Sequence, residues 1–154
     1  MPQSVNFVQI LTDDQGWGDL GCFGHPFIRS PHLDQLAAEG MKFTHCYAAD
    51  SVCSPSRAAI LTGRTPFRNG VYRWIPYDHF CHLPKSEVTT PQALSRNGYQ
   101  TAHFGKWHLS YYDEKSVKGK PEATHSFRMG GELVGQPTMN DYGYDYWFAT
   151  GNVA

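Results

Sequence analysis

The stretch Cys53-Ser54-Pro55-Ser56-Arg57-Ala58-Ala59-Ile60-Leu61-Thr62-Gly63-Arg64 decides how this chain is read. Pro55 suits the first turn of a helix, where an N–H would have no intrahelical partner anyway. Ala58 to Leu61 are good or acceptable helix formers, and Gly63 can end the helix in a left-handed conformation. Residue 53 then stands at a helix N-terminus, where unpaired N–H groups and the macrodipole favour an anion. Arg57, one turn further on, projects to the same side and adds a positive charge there. A lone Cys is most often a buried thiol; a Cys placed in this string reads instead as a reactive group facing an anion.

Two further stretches carry chemistry. Val5 to Thr12 is an apolar run with β-branched and aromatic members, which predicts an interior strand of a parallel sheet. It ends in Asp13-Asp14, and the carboxyl ends of strands are where open α/β sheets place their ligands. Two hard oxygen donors on adjacent residues suit Ca²⁺ or Mg²⁺ better than zinc. Downstream, Thr90-Pro91 marks a helix start, with a helix over 91–97, Leu94 on its apolar face and Gly98 as its stop. Tyr99 to Phe104 reads as the next strand and delivers Gly105-Lys106-Trp107-His108 at its carboxyl end. Lys106 offers a compact positive charge, and His108 can change protonation near neutral pH.

The remaining elements fit an alternating pattern. Ser30 as N-cap, Pro31 at the first position and Gly40 as stop predict a helix over 31–39, followed by a strand over 41–47. Strand and helix in alternation imply an α/β fold with a mostly parallel sheet flanked by helices. Residues 111–138 are polar and rich in Lys, Gly and Ser, and read as a long loop near a substrate entrance.

The Cys53–Arg64 string, the Asp13-Asp14 pair after its strand and the Gly-Lys-Trp-His segment together resemble the signatures of type I, formylglycine-dependent sulfatases. The resemblance is closest to arylsulfatase-like and glycan-sulfatase members. Tyr142 to Phe148 resembles a further family segment, so the likeness runs almost to the end. Phe104 departs from the pattern, standing where a smaller aliphatic residue is more common, which predicts a packing change only.

The resemblance implies an alkaline-phosphatase-like sandwich, with residues 1–154 as the N-terminal part of the catalytic domain. It implies that a formylglycine-generating enzyme oxidises Cys53 to an aldehyde. The hydrated aldehyde attacks the sulfur of a sulfate ester, and its second hydroxyl then expels sulfate and restores the aldehyde. Asp13, Asp14 and residue 53 would hold a divalent cation, Ca²⁺ ahead of Mg²⁺. Arg57 and Lys106 would position the reacting groups, and His108 would take part in proton transfer. The expected substrate is a sulfate ester of a carbohydrate, then of a simple aryl alcohol. A rival reading is a formylglycine-dependent phosphodiester or phosphonate monoester hydrolase, whose cysteine motif is nearly the same. Further metal ligands of the family, an Asp-Asn pair, have no match: Asn140-Asp141 is in the wrong order. The likeness stops in its middle at Gly151-Asn152-Val153-Ala154, so a truncated enzyme is expected, inactive as the chain stands.

Composition sets the outer bounds. The chain has 154 residues, a single-domain length, and 13 Lys plus Arg against 14 Asp plus Glu. Near-balanced charge suggests neither a nucleic-acid footprint nor a polybasic membrane patch. No apolar span approaches the roughly 20 residues that a transmembrane helix needs. Met1-Pro2-Gln3-Ser4 leads straight into the first apolar run, leaving no room for a signal peptide, although members of the resembled family are often periplasmic, secreted or lysosomal. Cys22, Cys46, Cys53 and Cys81 contain no Cys-x-x-Cys pair, which weakens zinc-ribbon and thioredoxin-like readings. Cys46 is expected to be a core thiol. Among the eight histidines, His108 alone has a motif behind it; the other seven are expected to be structural or on the surface.

Overall fold

The helix that begins at Cys53 organises the larger of two units. In the computed structural model, residues 5–76, 81–110 and 137–150 are described, and the chain divides into Met1–Tyr47 and Ala48–Ala154.

In the first unit, helix α1 runs Pro31–Glu39, with Ser30 at its N-cap and Pro31 at its first position. Ser30 does not cap the helix with its side chain. Its hydroxyl accepts the Gly21 N–H (2.8 Å) and donates to Asp34 Oδ1 (2.8 Å), which also accepts the Cys22 N–H (2.7 Å). These bonds dock the 3₁₀ turn Gly21–Phe23 onto α1. Gly40 ends α1 at φ −111°, without the left-handed turn, its N–H bonding to the Leu36 carbonyl.

The strands expected over 5–12 and 41–47 do not form: neither segment pairs with a strand among the described residues. Val8 is 84% exposed and Ile10 79% exposed. An apolar β-branched run expresses a demand for burial, but a strand also needs a neighbour to complete its ladder. Cys46, expected in the core, is likewise exposed.

The second unit carries helices α2 (Cys53–Thr62), α3 (Pro66–Asn69) and α4 (Thr90–Ser95), and strands β1 (Ala102–Lys106) and β2 (Tyr146–Thr150). Pro55 lies in the first turn of α2, and Gly63 closes the helix at φ 65°, its N–H on the Ala59 carbonyl. Ser54, Pro55, Ala58, Ala59 and Leu61 form the buried face. Small residues dominate that face, which lets neighbouring chain approach the helix closely.

Strands β1 and β2 pair in parallel, Ala102 opposite Tyr146 and Phe104 opposite Phe148. Phe104, Tyr146 and Phe148 share one face by the period-2 rule, and that face is exposed. Phe104 is therefore a surface ring, not a change inside the core. β1 starts later than the sequence pattern suggests because the Tyr99 N–H still closes the end of α4 on the Leu94 carbonyl (3.2 Å). The Thr101 carbonyl meanwhile accepts the N–H groups of Asp145 and Tyr146 at 3.0 and 3.1 Å.

The core gathers Ala58, Leu61, Val71, Ile75, Leu83, Trp107, Leu109, Met139, Tyr142 and Ala149, with Tyr144 and Trp147 against it. Tyr142 is fully buried and donates its hydroxyl to the Leu83 carbonyl (2.6 Å), so its polar end is satisfied. Thr89 caps α4 in a reciprocal box with Gln92 and also donates to the Tyr142 carbonyl (2.6 Å). Asn140-Asp141 lies in a 3₁₀ turn, Met139–Tyr142. There Asp141 accepts the Thr138 N–H (2.6 Å) and pairs with Lys85 (3.1 Å), so it serves the turn. The loop expected over 111–138 lies, for 111–136, outside the described residues. No helix among the described residues is long and apolar enough to cross a membrane.

Two glycines test this packing. Gly143 has φ 88°, and a Cβ there would meet the Gln92 backbone nitrogen at 2.6 Å. Gly63 has φ 65° with nothing within 4 Å of such a Cβ. Gly63→Ala should cost about 1–2 kcal/mol for the left-handed backbone alone. Gly143→Ala adds an overpacking term and should cost about 2–5 kcal/mol. Urea denaturation of both variants checks this, and equal losses would show that the Gly143–Gln92 approach is not a tight one.

Candidate active site

The sequence places Cys53 at the first residue of α2, and the fold brings the end of β1 to it. Lys106 Nζ lies 3.4 Å from Cys53 Sγ, a hydrogen bond by sulfur's criterion. Arg57 Nη1 donates to the Lys106 carbonyl at 2.6 Å, tying one turn of α2 to the residue that faces the thiol. All three side chains are partly buried. An ammonium group and a helix N-terminus thus meet at one sulfur, with a guanidinium bonded to the backbone of the residue that carries the ammonium.

His108 follows two residues later and is only 2% exposed. Its Nε2 lies 2.9 Å from the Ile75 carbonyl, and its ring meets Trp74 edge to face at 5.3 Å. A carbonyl only accepts, so Nε2 carries the hydrogen of the neutral ring and Nδ1 is left as the acceptor nitrogen. The residue adopts φ 56°, a left-handed conformation that costs a non-glycine residue about 1–3 kcal/mol. The Ile75 N–H in turn donates to Ser54 Oγ at 3.1 Å. Ser54, Ile75 and His108 are therefore linked through one backbone residue.

Asp13 and Asp14 belong to the first unit, where both are exposed. Asp14 has φ 51°, a second left-handed non-glycine residue, directly after the apolar run. Adjacent exposed carboxylates on a fixed, unusual turn fit a hard divalent cation by donor chemistry.

His103, one of the seven histidines expected to be structural or on the surface, stands on β1 three residues before Lys106. Its ring packs edge to face on Trp107 (5.6 Å) and Tyr144 (5.3 Å). Its Nε2 is buried without a hydrogen-bond partner among the described residues. Burial pushes its pKa below the ordinary imidazole value, and the nearby Arg57 charge adds to this, against backbone hydrogen bonds at Gly105 and Lys106. Burial likewise drives the Tyr144 hydroxyl up to about 12. No spacing rule singles out His103; only the fold shows that it lies under the charged pair.

Comparison with known proteins bears directly on this geometry. The model of the Sulfatase family matches residues 5–153. The chain belongs to the sulfatase family. This sulfatase chain is 47% identical over 118 residues to N-acetylgalactosamine-6-sulfatase of Rattus norvegicus, covering 71% of the chain and 22% of that protein. It is 44% identical over 139 residues to human arylsulfatase A, covering 90% and 26%. A solved structure described under glycosaminoglycan metabolism by Bacteroides thetaiotaomicron superimposes with a TM-score of 0.71 at 32% identity, covering 90% of this chain and 26% of that one. The sulfatase chain therefore spans about a quarter of the length of the curated relatives it matches. It shares the α/β, alkaline-phosphatase-like fold of sulfatases, here with a parallel pair of strands among the described residues.

The depressed pKa of His103 has a consequence for stability. The ordinary imidazole value is 6.5, and the folded value is lower. As pH falls through about 6.5 the unfolded chain takes up a proton that folded His103 refuses. Stability present above that pH is then lost on acidification, until the folded imidazole itself protonates. His103→Met removes this titration while keeping an apolar side chain of similar volume. Thermal midpoints measured from pH 7 to pH 5 should fall further for the wild type than for His103→Met. Parallel curves would show that His103 is not held neutral by the fold.

Proposed function

We propose that the protein hydrolyses sulfate esters at residue 53, and that its substrates are sulfated carbohydrates. The observation that carries this reading is the 3.4 Å approach of Lys106 Nζ to Cys53 Sγ, with Arg57 bonded to the Lys106 carbonyl. A formylglycine-generating enzyme would convert Cys53 to the aldehyde, whose oxygen takes the place of Sγ in these contacts. The hydrated aldehyde supplies a hydroxyl to attack sulfur and a second to release sulfate.

The chain's own residues then have distinct tasks. Lys106 holds the oxygen of residue 53 and a sulfate oxygen within reach of one ammonium. Arg57 fixes the carbonyl of Lys106 and so the direction of its side chain, and adds positive charge beside the transferring group. His108, held by the Ile75 carbonyl at Nε2, exchanges its proton at Nδ1. Asp13 and Asp14, with residue 53, would hold a divalent cation, Ca²⁺ by preference over Mg²⁺. Bound there, the cation would supply Lewis-acid stabilisation of charge on the sulfate. The names and description of the relatives, N-acetylgalactosamine-6-sulfatase and a protein of glycosaminoglycan metabolism, favour a saccharide as the alcohol half.

Mass spectrometry tests the nucleophile first. After coexpression with a formylglycine-generating enzyme, the Cys53 peptide should lose about 18 Da, the difference between thiol and aldehyde. A thiol that stays unmodified while a control substrate is converted would remove the basis of the proposal. In the full-length protein carrying these residues, Cys53→Ala should abolish turnover. Lys106→Ala or Arg57→Ala should each lower kcat on the order of 10²–10³-fold, as loss of a preorganised donor does elsewhere.

The cation is tested apart from activity, by calorimetric titration with Ca²⁺ and Mg²⁺. Asp13→Asn and Asp14→Asn should each weaken Ca²⁺ binding by at least about tenfold, since a formal charge leaves a hard-cation site. Unchanged Ca²⁺ affinity in the double variant would mean that the acidic pair is a solvated turn.

A further inference from the structure

Ser54 stands in the first turn of α2, on its buried face. Serines near a helix start commonly bond backbone groups of their own turn. The Ser54 hydroxyl instead accepts the Ile75 N–H at 3.1 Å, across a separation of 21 residues. The rest of that face is built from small or apolar side chains, and a buried hydroxyl is costly unless it is bonded. The Ile75 carbonyl in turn accepts from His108 Nε2 at 2.9 Å. Ser54, Ile75 and His108 are all buried, which keeps bulk water from replacing either bond.

The link between them is short and stiff. Ile75 precedes Pro76, and clash with the proline ring pushes the preceding residue to extended backbone. An extended residue sends its N–H and its C=O to the same side, so holding one sets the direction of the other. His108 requires such a hold. Its φ of 56° is one that a non-glycine residue keeps only where its surroundings over-determine it. Those surroundings include the Ile75 carbonyl and the Trp74 ring, which meets the imidazole edge to face at 5.3 Å. Trp74 and Ile75 are consecutive, and Ser54 ties the pair to α2.

We propose that Ser54 is a positioning residue for His108, acting through the backbone of Ile75. The Ser54 oxygen holds the Ile75 N–H, and the Ile75 carbonyl holds His108 as the Nε2–H tautomer, with Nδ1 as its acceptor nitrogen. Ser54 adjoins residue 53 in the same helix turn, so nucleophile and imidazole take their positions from one element. Displacing a reacting group by about 1 Å can cost on the order of 10²-fold in rate. The inference rests on the sulfatase reading, in which His108 takes part in proton transfer, and the experiment keeps the two apart.

The test uses the full-length protein carrying these residues. Residue 54 adjoins the modified residue, so the aldehyde is quantified by mass spectrometry in every variant and rates are expressed per converted molecule. Ser54→Ala removes the oxygen; Ser54→Thr keeps it, and Ser54→Val matches the size of Ser54→Thr without it. Ser54→Ala and Ser54→Val should lower kcat for 4-nitrophenyl sulfate about tenfold with KM changed less than about twofold, and Ser54→Thr should keep most of the rate. Equal rates for Ser54→Thr and Ser54→Val, or an unchanged kcat in Ser54→Ala, overturn the proposal. A second readout does not depend on turnover. The imidazole ¹⁵N shifts of His108, assigned with His108→Gln in histidine-labelled protein in mildly alkaline buffer, should show the Nε2–H form in the wild type and mixed tautomers in Ser54→Ala. A wild-type tautomer in Ser54→Ala also overturns the proposal. A tautomer change in a converted protein that cleaves no sulfate ester would retain the role of Ser54 and discard the sulfatase reading.

Discussion

The hydrogen bond from Arg57 Nη1 to the Lys106 carbonyl, 2.6 Å long, is the constraint on which the site depends. It joins the first turns of α2 to the last residue of β1, two elements far apart in sequence. A charged donor on a backbone carbonyl is worth more than a neutral bond, about 1.5–3 kcal/mol, and here it fixes direction as well. With the Lys106 carbonyl held toward α2, the side chain of the same residue reaches Cys53 Sγ at 3.4 Å. Loss of Arg57 would therefore remove a charge and also release the strand end that carries the second charge.

The parallel pairing of β1 with β2 supports that strand end from the other side. Lys106 stands opposite Thr150 at the end of the ladder. At the beginning of the ladder, Thr101 donates its hydroxyl to the Gly143 carbonyl (2.5 Å) and its N–H to Asp145 Oδ2 (2.8 Å). The strand is thus anchored where it enters the sheet, and at its far end by the ladder and Arg57 together. Beneath it, His103, Trp107 and Tyr144 make a wall of rings in edge-to-face contact.

Local rules explain which parts of this could be read from sequence. Pro55 and Gly63 bound α2 because their backbone preferences act within one turn, and Thr89 with Gln92 caps α4 for the same reason. The strand leading to Lys106 was legible as the segment after the helix stop at Gly98, although its start was not, since the Tyr99 amide is claimed by the preceding helix end. The approach of Lys106 to Cys53 spans 53 residues, and no spacing rule contains it. The run from Val5 to Thr12 misled for a related reason. Its composition states what the side chains want, while strand formation depends on a partner ladder that composition does not name.

The segment from Gly70 to Ile75 lies between the motifs and carried no sequence signal, yet it links them. Asn69 is buried; it donates from Nδ2 to the Arg64 carbonyl (3.1 Å) and accepts the Val71 N–H (2.9 Å), which sets the path of the chain after α3. Arg64 is itself held by Glu87 at 2.8 and 3.0 Å, and by the Arg68 carbonyl. The path leads to Ile75, whose two backbone groups serve Ser54 and His108. Hydrogen bonds weaken steeply with misalignment, so a displacement of the Ile75 backbone would disturb its bonds to Ser54 and His108 together. The segment between the motifs thus ties the residue after Cys53 to His108 through one backbone residue.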